Sequence, residues 1–205
     1  MKRITFKIDS TIQVFRYGKT SNKKTNIVQT YTFSQAQYEY IYQCQKDKTK
    51  PIFKMFFSLD SDNCMDCPFS ANQANKVGLC YTHKVMQYSG FISMLKSILN
   101  EFPTYADIPN YSNEVSIPIL KMSENKYIRF GTYGEPSMHP IKLVENITIV
   151  AKNWTGYSHQ YTKNPLYNNY FMASTHNQLQ ANTAKDKFNY RSFSAVDDNT
   201  NFDAI

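Results

Sequence analysis

Glycine is scarce in this chain, with six residues in 205. That excludes collagen-like and glycine-rich repeats. No stretch approaches 18 uninterrupted apolar residues, so no transmembrane helix is expected and no membrane partner is assigned. The opening Met1-Lys2-Arg3-Ile4-Thr5-Phe6-Lys7-Ile8-Asp9 has no apolar core long enough for a signal peptide, which makes the cytosol the expected location. Without a secretory route, the sequons at Asn146 and Asn153 read as chance matches. The chain also lacks a glycine-rich phosphate loop, a nucleophile elbow and a metalloprotease helix signature. Charged residues make up 19% and apolar residues 41%, a balance outside the disordered range.

What is present is aromatic and basic. Tyr (16) and Phe (14) dominate an aromatic content of 15%, and the formal charge is +7. A positive excess points toward a polyanionic partner. Lys19, Lys23, Lys24, Lys46, Lys48 and Lys50 all fall in the first fifty residues. They form either an ordinary solvated face or a nucleic-acid footprint on a basic N-terminal extension.

Within that extension, residues 1–50, Ile4–Ile8 and Ile12–Tyr17 alternate like strands. Gly18–Asn26 reads as a turn or loop, and Ser34 as the N-cap of a helix ending near Gln45. An α/β core follows over residues 51–196, then an acidic tail over 197–205. The apolar run Phe53–Leu59 reads as a buried strand leading into a cysteine loop from Asp60 to about Tyr81. Apolar residues at helical spacing predict a helix over His83–Asn100. Ile117–Met122 reads as a short strand or turn, Tyr127–Gly131 as a strand, and Pro140–Lys152 as a helix. Strands are then expected at Gly156–Tyr161, Tyr170–Ser174 and Tyr190–Val196, with a helix over Asn177–Lys187. Alternation of this kind predicts an α/β fold: an incomplete parallel β/α barrel or an open parallel sheet, with an N-terminal β/α extension. Function then gathers at the C-terminal ends of the strands.

That rule brings Cys64, Cys67, Cys80, Glu135, His159 and Ser174-Thr175-His176 to one rim. The two-residue gap between Cys64 and Cys67 lets one turn aim both sulfurs at one metal or cluster, and Cys80 returns after twelve residues. Thiolates favour zinc or iron–sulfur clusters. Three cysteines suit a cluster with one open iron, whereas zinc needs a fourth donor, His83 or Cys44. A reduced, uncoordinated set is the third alternative. Gly134-Glu135-Pro136 can present backbone groups and one carboxylate to a ligand, or simply cap the next helix. His159 is either a catalytic imidazole or a hydrogen-bonded core residue among aromatics.

The order strand, cysteine loop, helix, strand, Gly-Glu-Pro resembles the radical S-adenosylmethionine enzymes. The resemblance implies that Cys64, Cys67 and Cys80 hold a [4Fe–4S] cluster. It also implies that Gly134, Glu135 and Pro136, with Ser174 nearby, bind S-adenosylmethionine, and that a substrate reacts close to His159 and Glu135. The cysteine intervals of two and twelve residues depart from that family's compact triad, and Tyr133 stands where the family has a glycine. The chain also resembles phage-encoded proteins that combine a Cys-x-x-Cys…Cys-Tyr loop, a Gly-Asp/Glu-Pro stretch and a Thr-Gly-Tyr-Thr/Ser-His-Gln strand, here Thr155–Gln160. This likeness spans residues 52–196 and implies a host-cell cytoplasmic location. Two functions stay open at this point. One is an iron–sulfur enzyme; the other is a zinc- or cluster-stabilised accessory protein that binds nucleic acid or a protein partner without catalysis.

Overall fold

The computed structural model describes residues 2–20, 23–67, 70, 80 and 82–194. Most of the cysteine-loop interior, Tyr81, Ala195–Val196 of the last predicted strand and the acidic tail lie outside the described residues, as do the side chains of Lys23 and Lys24.

Residues predicted to be an extension build the larger sheet instead. β1 (Lys2–Ile8), β2 (Thr11–Thr20) and β3 (Lys23–Ser34) form an antiparallel meander. The loop expected at 18–26 is therefore mostly strand. Ser34 does cap α1 (Gln35–Lys46), with a reciprocal capping box to Gln37. The run Phe53–Leu59 is not a strand. It forms a short helix, α2 (Phe53–Ser58), that buries Phe56 and Phe57 and leaves Met55 exposed. A six-residue apolar run fits either state, and one-sided burial is what a helix gives it. α3 (Ser61–Cys64) is one turn, and α4 (Val85–Glu101) buries Phe91, Ile92, Leu95, Ile98 and Leu99 as its periodicity requires.

The segment around Ile117 is also helical. α5 (Asn113–Ser123) is capped by the Ser112 hydroxyl and carries Pro118 inside it. Burial of Ile119 and Met122 outweighs the lost backbone donor. β4 (Tyr127–Tyr133) then runs parallel to β3, and β5 (Asn153–Thr155), a strand the sequence did not signal, runs parallel to β4. α6 (Ile141–Val150) connects them, beginning just after Pro140.

The five-stranded sheet is thus mixed, in the order β1-β2-β3-β4-β5. A second sheet contains β6 (Tyr157–Ser158), β7 (Met172–Thr175) and β8 (Ser192–Ser194), all parallel, with α7 (Gln178–Phe188) between the last two. Among the described residues no barrel closes. Gly156 stands at the break between the sheets, where an added Cβ would lie 2.6 Å from the Phe171 ring.

Helices cover both faces of the mixed sheet. On one face Ile12, Val14, Tyr31, Phe33 and Tyr133 pack against α1, α2 and α4. On the other, Phe6, Phe15, Val28, Ile128 and Phe130 pack against α5, α6 and the second sheet. The central strand is polar in sequence because its buried polar groups satisfy one another. Thr32 donates to Gln13 at 2.8 Å, Gln13 donates to Thr11 at 2.8 Å, and Thr30 accepts from the Gly131 amide at 2.8 Å.

Candidate functional site

The parallel strands β3 and β4 end at the same rim, with Tyr31 opposite Tyr133. Asn63 of α3 ties the cysteine loop to both. Its side-chain amide donates to the Thr32 carbonyl at 3.1 Å, and its own carbonyl accepts from the Glu135 amide at 2.8 Å. Gly134 makes that approach feasible. Its φ is +81°, and an added Cβ would lie 2.7 Å from the Thr32 Cβ and 3.0 Å from the Asn63 carbonyl oxygen.

Next to Asn63, Cys64 starts a tight turn. The Cys67 amide donates to the Cys64 carbonyl at 3.1 Å, and the Ser70 amide to the Cys67 carbonyl at 2.9 Å. Cys64 and Cys67 are buried, and Cys80 is half-buried with its sulfur 3.0 Å from the Thr82 hydroxyl. Burial pushes the Cys64 thiol well up, and Asp60, Cys67, Cys80 and Glu135 push it further. The Cys80 thiol is likewise raised by burial, against the hydrogen bonds it gains at Thr82. Cys67, Cys80, Asp60 and Glu135 thus all act electrostatically on the Cys64 thiol. His83 stacks on Phe57 with ring centroids 4.2 Å apart and sets Nε2 3.5 Å from Asp60 Oδ2. Lys163 forms an ion pair with Asp66 and so joins the loop to the segment after β6. Cys44 lies elsewhere, in α1 within the helical layer, and Tyr40 is the group that senses it.

Glu135 is engaged by the chain itself. Oε1 accepts from the Ser137 amide at 3.1 Å and its hydroxyl at 2.9 Å, while Oε2 accepts from the His159 amide at 3.1 Å. Burial raises its pKa, and the Ser158, Ser137 and His159 donors oppose that rise. The carboxylate caps the 3₁₀ turn Pro136–Met138 and pins the end of β6, with Pro136 in the first position of that turn. This arrangement matches the capping alternative for Gly134-Glu135-Pro136.

His159 stacks on His176 with ring centroids 5.5 Å apart. Burial, with His176 adding to it, lowers its pKa to about 4, so the imidazole is neutral at pH 7. Ser174 is half-buried in β7 opposite Phe193. Among the described residues no hydrogen bond joins it to Glu135 or to a cysteine. His139 is fully buried between Phe15 and Phe130, with ring centroids at 5.1 and 6.0 Å.

Three contributors carried little signal in the sequence. Asp60 and Asn63 look like ordinary loop polars beside the cysteines, and both are fully buried. Ser137 follows the Gly-Glu-Pro stretch at the spacing an N-terminal cap uses, which is the one cue that could have revealed it.

Compared with known proteins, the chain matches no family model, no curated protein and no solved structure. Among the described residues no helix is long and apolar enough to cross a membrane.

Proposed function

We propose that the cysteine loop binds a thiophilic metal centre, a [4Fe–4S] cluster or zinc, through Cys64, Cys67 and Cys80, with His83 as the fourth donor for zinc. One observation carries this reading. Thiols from two separate stretches of loop lie within electrostatic range of one another and of two carboxyl groups, under cover from solvent. Gathering groups that would all be anionic when ionised raises the cost of ionising any of them. A bound cation reverses that cost, because thiolate is the form that ligates.

The donor chemistry fits such a centre. The positions are not preset: among the described residues no group of three or more His, Cys, Asp or Glu side chains is spaced to hold a metal ion. Metal uptake in this reading is coupled to closure of the loop, as in other proteins whose sites form with the ligand. A cluster held by three thiolates supplies an open iron, and zinc supplies a structural cross-link.

The finer reading, a partial-barrel radical S-adenosylmethionine enzyme, rests on the resemblance and on the direct contact between the Gly-Glu-Pro turn and the cysteine loop.

Metal analysis and an absorption spectrum of protein purified without oxygen test the proposal. About four irons per chain with a broad band near 400 nm supports the cluster. About one zinc and no colour supports the structural site. In either case Cys64→Ser lowers metal content at least several-fold. A chain that takes up neither metal, as purified and after reconstitution, overturns the proposal.

A further inference from the structure

A second site lies on the sheet itself, away from the cysteine loop. α4 packs over the C-terminal ends of β3 and β4 and reaches Arg3 of β1, which hydrogen-bonds Ser97 and pairs with Glu101. Behind it the register aligns Arg16 of β2 with Gln29 of β3, Gln29 with Arg129 of β4, and Arg129 with Thr155 of β5. Residues in register project to the same face, so one row across four strands carries two guanidinium groups with an amide between them. In the next row Tyr127 stands opposite Asn153.

This row is the floor of a cleft of about 860 Å³. Gln87, Gly90, Phe91 and Met94 of α4 form one wall, and Tyr127 stands on the other side, whereas Trp154, in register with Ile128, turns its indole to the opposite core. Lys19 adds a third cation, and no Asp or Glu is among the described lining residues. The volume falls within the roughly 300–1,000 Å³ typical of sites for small ligands. Both arginines act on the same buried hydroxyl at the inner end: burial raises the Tyr31 pKa, while Arg16, which hydrogen-bonds it, and Arg129 pull it down. The two guanidinium groups thus share the sheet face of Tyr31, one strand apart on either side of Gln29. Such a pair is favourable where an anion bridges it.

The remaining walls are suited to bases. Tyr127 is 45% exposed, with the Lys152 ammonium 5.0 Å from its ring centroid. Gln29, Thr132, Asn153 and Thr155 supply neutral donors and acceptors. Cations beside an exposed aromatic ring are elements that bind unpaired nucleotides, phosphates to the cations and a base to the ring. A duplex keeps its bases stacked inside and cannot offer them to Tyr127.

We infer that the cleft between α4 and strands β2–β5, lined by Arg16, Lys19, Arg129 and Tyr127, binds single-stranded nucleic acid. The site uses Lys19 from the basic N-terminal region, but its decisive cation, Arg129, lies outside that region. It is independent of whether the cysteine loop holds a metal.

The full chain is titrated into a labelled short oligothymidylate and a labelled short oligouridylate, and binding is read as a rise in anisotropy. Three phosphate contacts give a log–log salt slope near −2, hence roughly 20-fold weaker binding on going from about 50 to about 200 mM salt. Arg129→Gln, with an unchanged circular dichroism spectrum, is expected to weaken binding about ten-fold and reduce the slope by about 0.7. Lys19→Gln, at an exposed position, gives a smaller loss in the same direction and serves if Arg129→Gln fails to fold. Binding that is insensitive to these variants overturns the inference. So does a duplex that binds equally well, a free mononucleotide with the affinity of the oligonucleotide, or no binding at about 50 mM salt.

Discussion

His139 shows what a single buried imidazole does to a fold. It has no exposed surface, and among the described residues neither ring nitrogen has a hydrogen-bond partner. Burial lowers its pKa from 6.5 to about 3. A folded-state pKa below the unfolded value means that the stabilisation is complete above about pH 6.5 and is lost as the pH falls toward 3. At about 1.4 kcal/mol per pH unit, His139 alone removes about 2 kcal/mol between pH 7 and pH 5. Urea denaturation of the wild type at those two pH values is expected to show that loss on top of one of the same sense from His159, and His139→Phe to remove the His139 share, about 2 kcal/mol. Glu135 acts in the opposite sense, because its raised pKa favours the fold at low pH. The comparison of the two chains isolates the imidazole. The alternation of His139 with aromatic neighbours in space is invisible in the sequence, where it stands between Met138 and Pro140.

At the scale of elements, the Gly134 turn holds three pieces together: the end of β4, the Thr32 end of β3 and the helical turn that carries Cys64. Gly134→Ala combines a left-handed backbone with contacts under 3.1 Å to Thr32 and Asn63. It is expected to cost at least roughly 2 kcal/mol, seen as a lower urea midpoint at unchanged slope. Elements defined by apolar periodicity were legible in the sequence. α4 declares itself through Phe91, Leu95, Ile98 and Leu99, and α6 through Leu143, Val144 and Ile147. Elements whose buried residues are polar were not. β3 places Thr30, Thr32 and Ser34 in the interior, and nothing in Thr-Tyr-Thr-Phe-Ser states that Gln13 and Gly131 await them. The candidate site follows the same division. The three cysteines stand out in the sequence by their spacing, whereas the Glu135 carboxylate's partners, Ser137 and the His159 amide, depend on how β6 docks. Arg16 and Arg129, far apart in the chain, share a sheet face only through the strand register.

For the whole molecule, the first thirty-four residues are structural rather than appended. They contribute Ile12, Val14, Tyr31 and Phe33 to one core and Phe6, Phe15 and Val28 to the other. Deleting residues 1–34 removes the strand on which β4 pairs and opens both helical layers. The shortened chain is expected to show no cooperative thermal transition by circular dichroism, whereas an independent core would retain one. The placement of β3 has a further consequence for how the chain is made. On one side Val28 pairs with Tyr17 across the hairpin, but on the other side it pairs with Ile128. On the ribosome the meander therefore emerges about a hundred residues before that second partner. During that interval one edge of β3 offers unpaired amides and carbonyls to any passing strand. The polar, lysine-bearing character of this region keeps that waiting edge soluble until the second half of the chain arrives to close it.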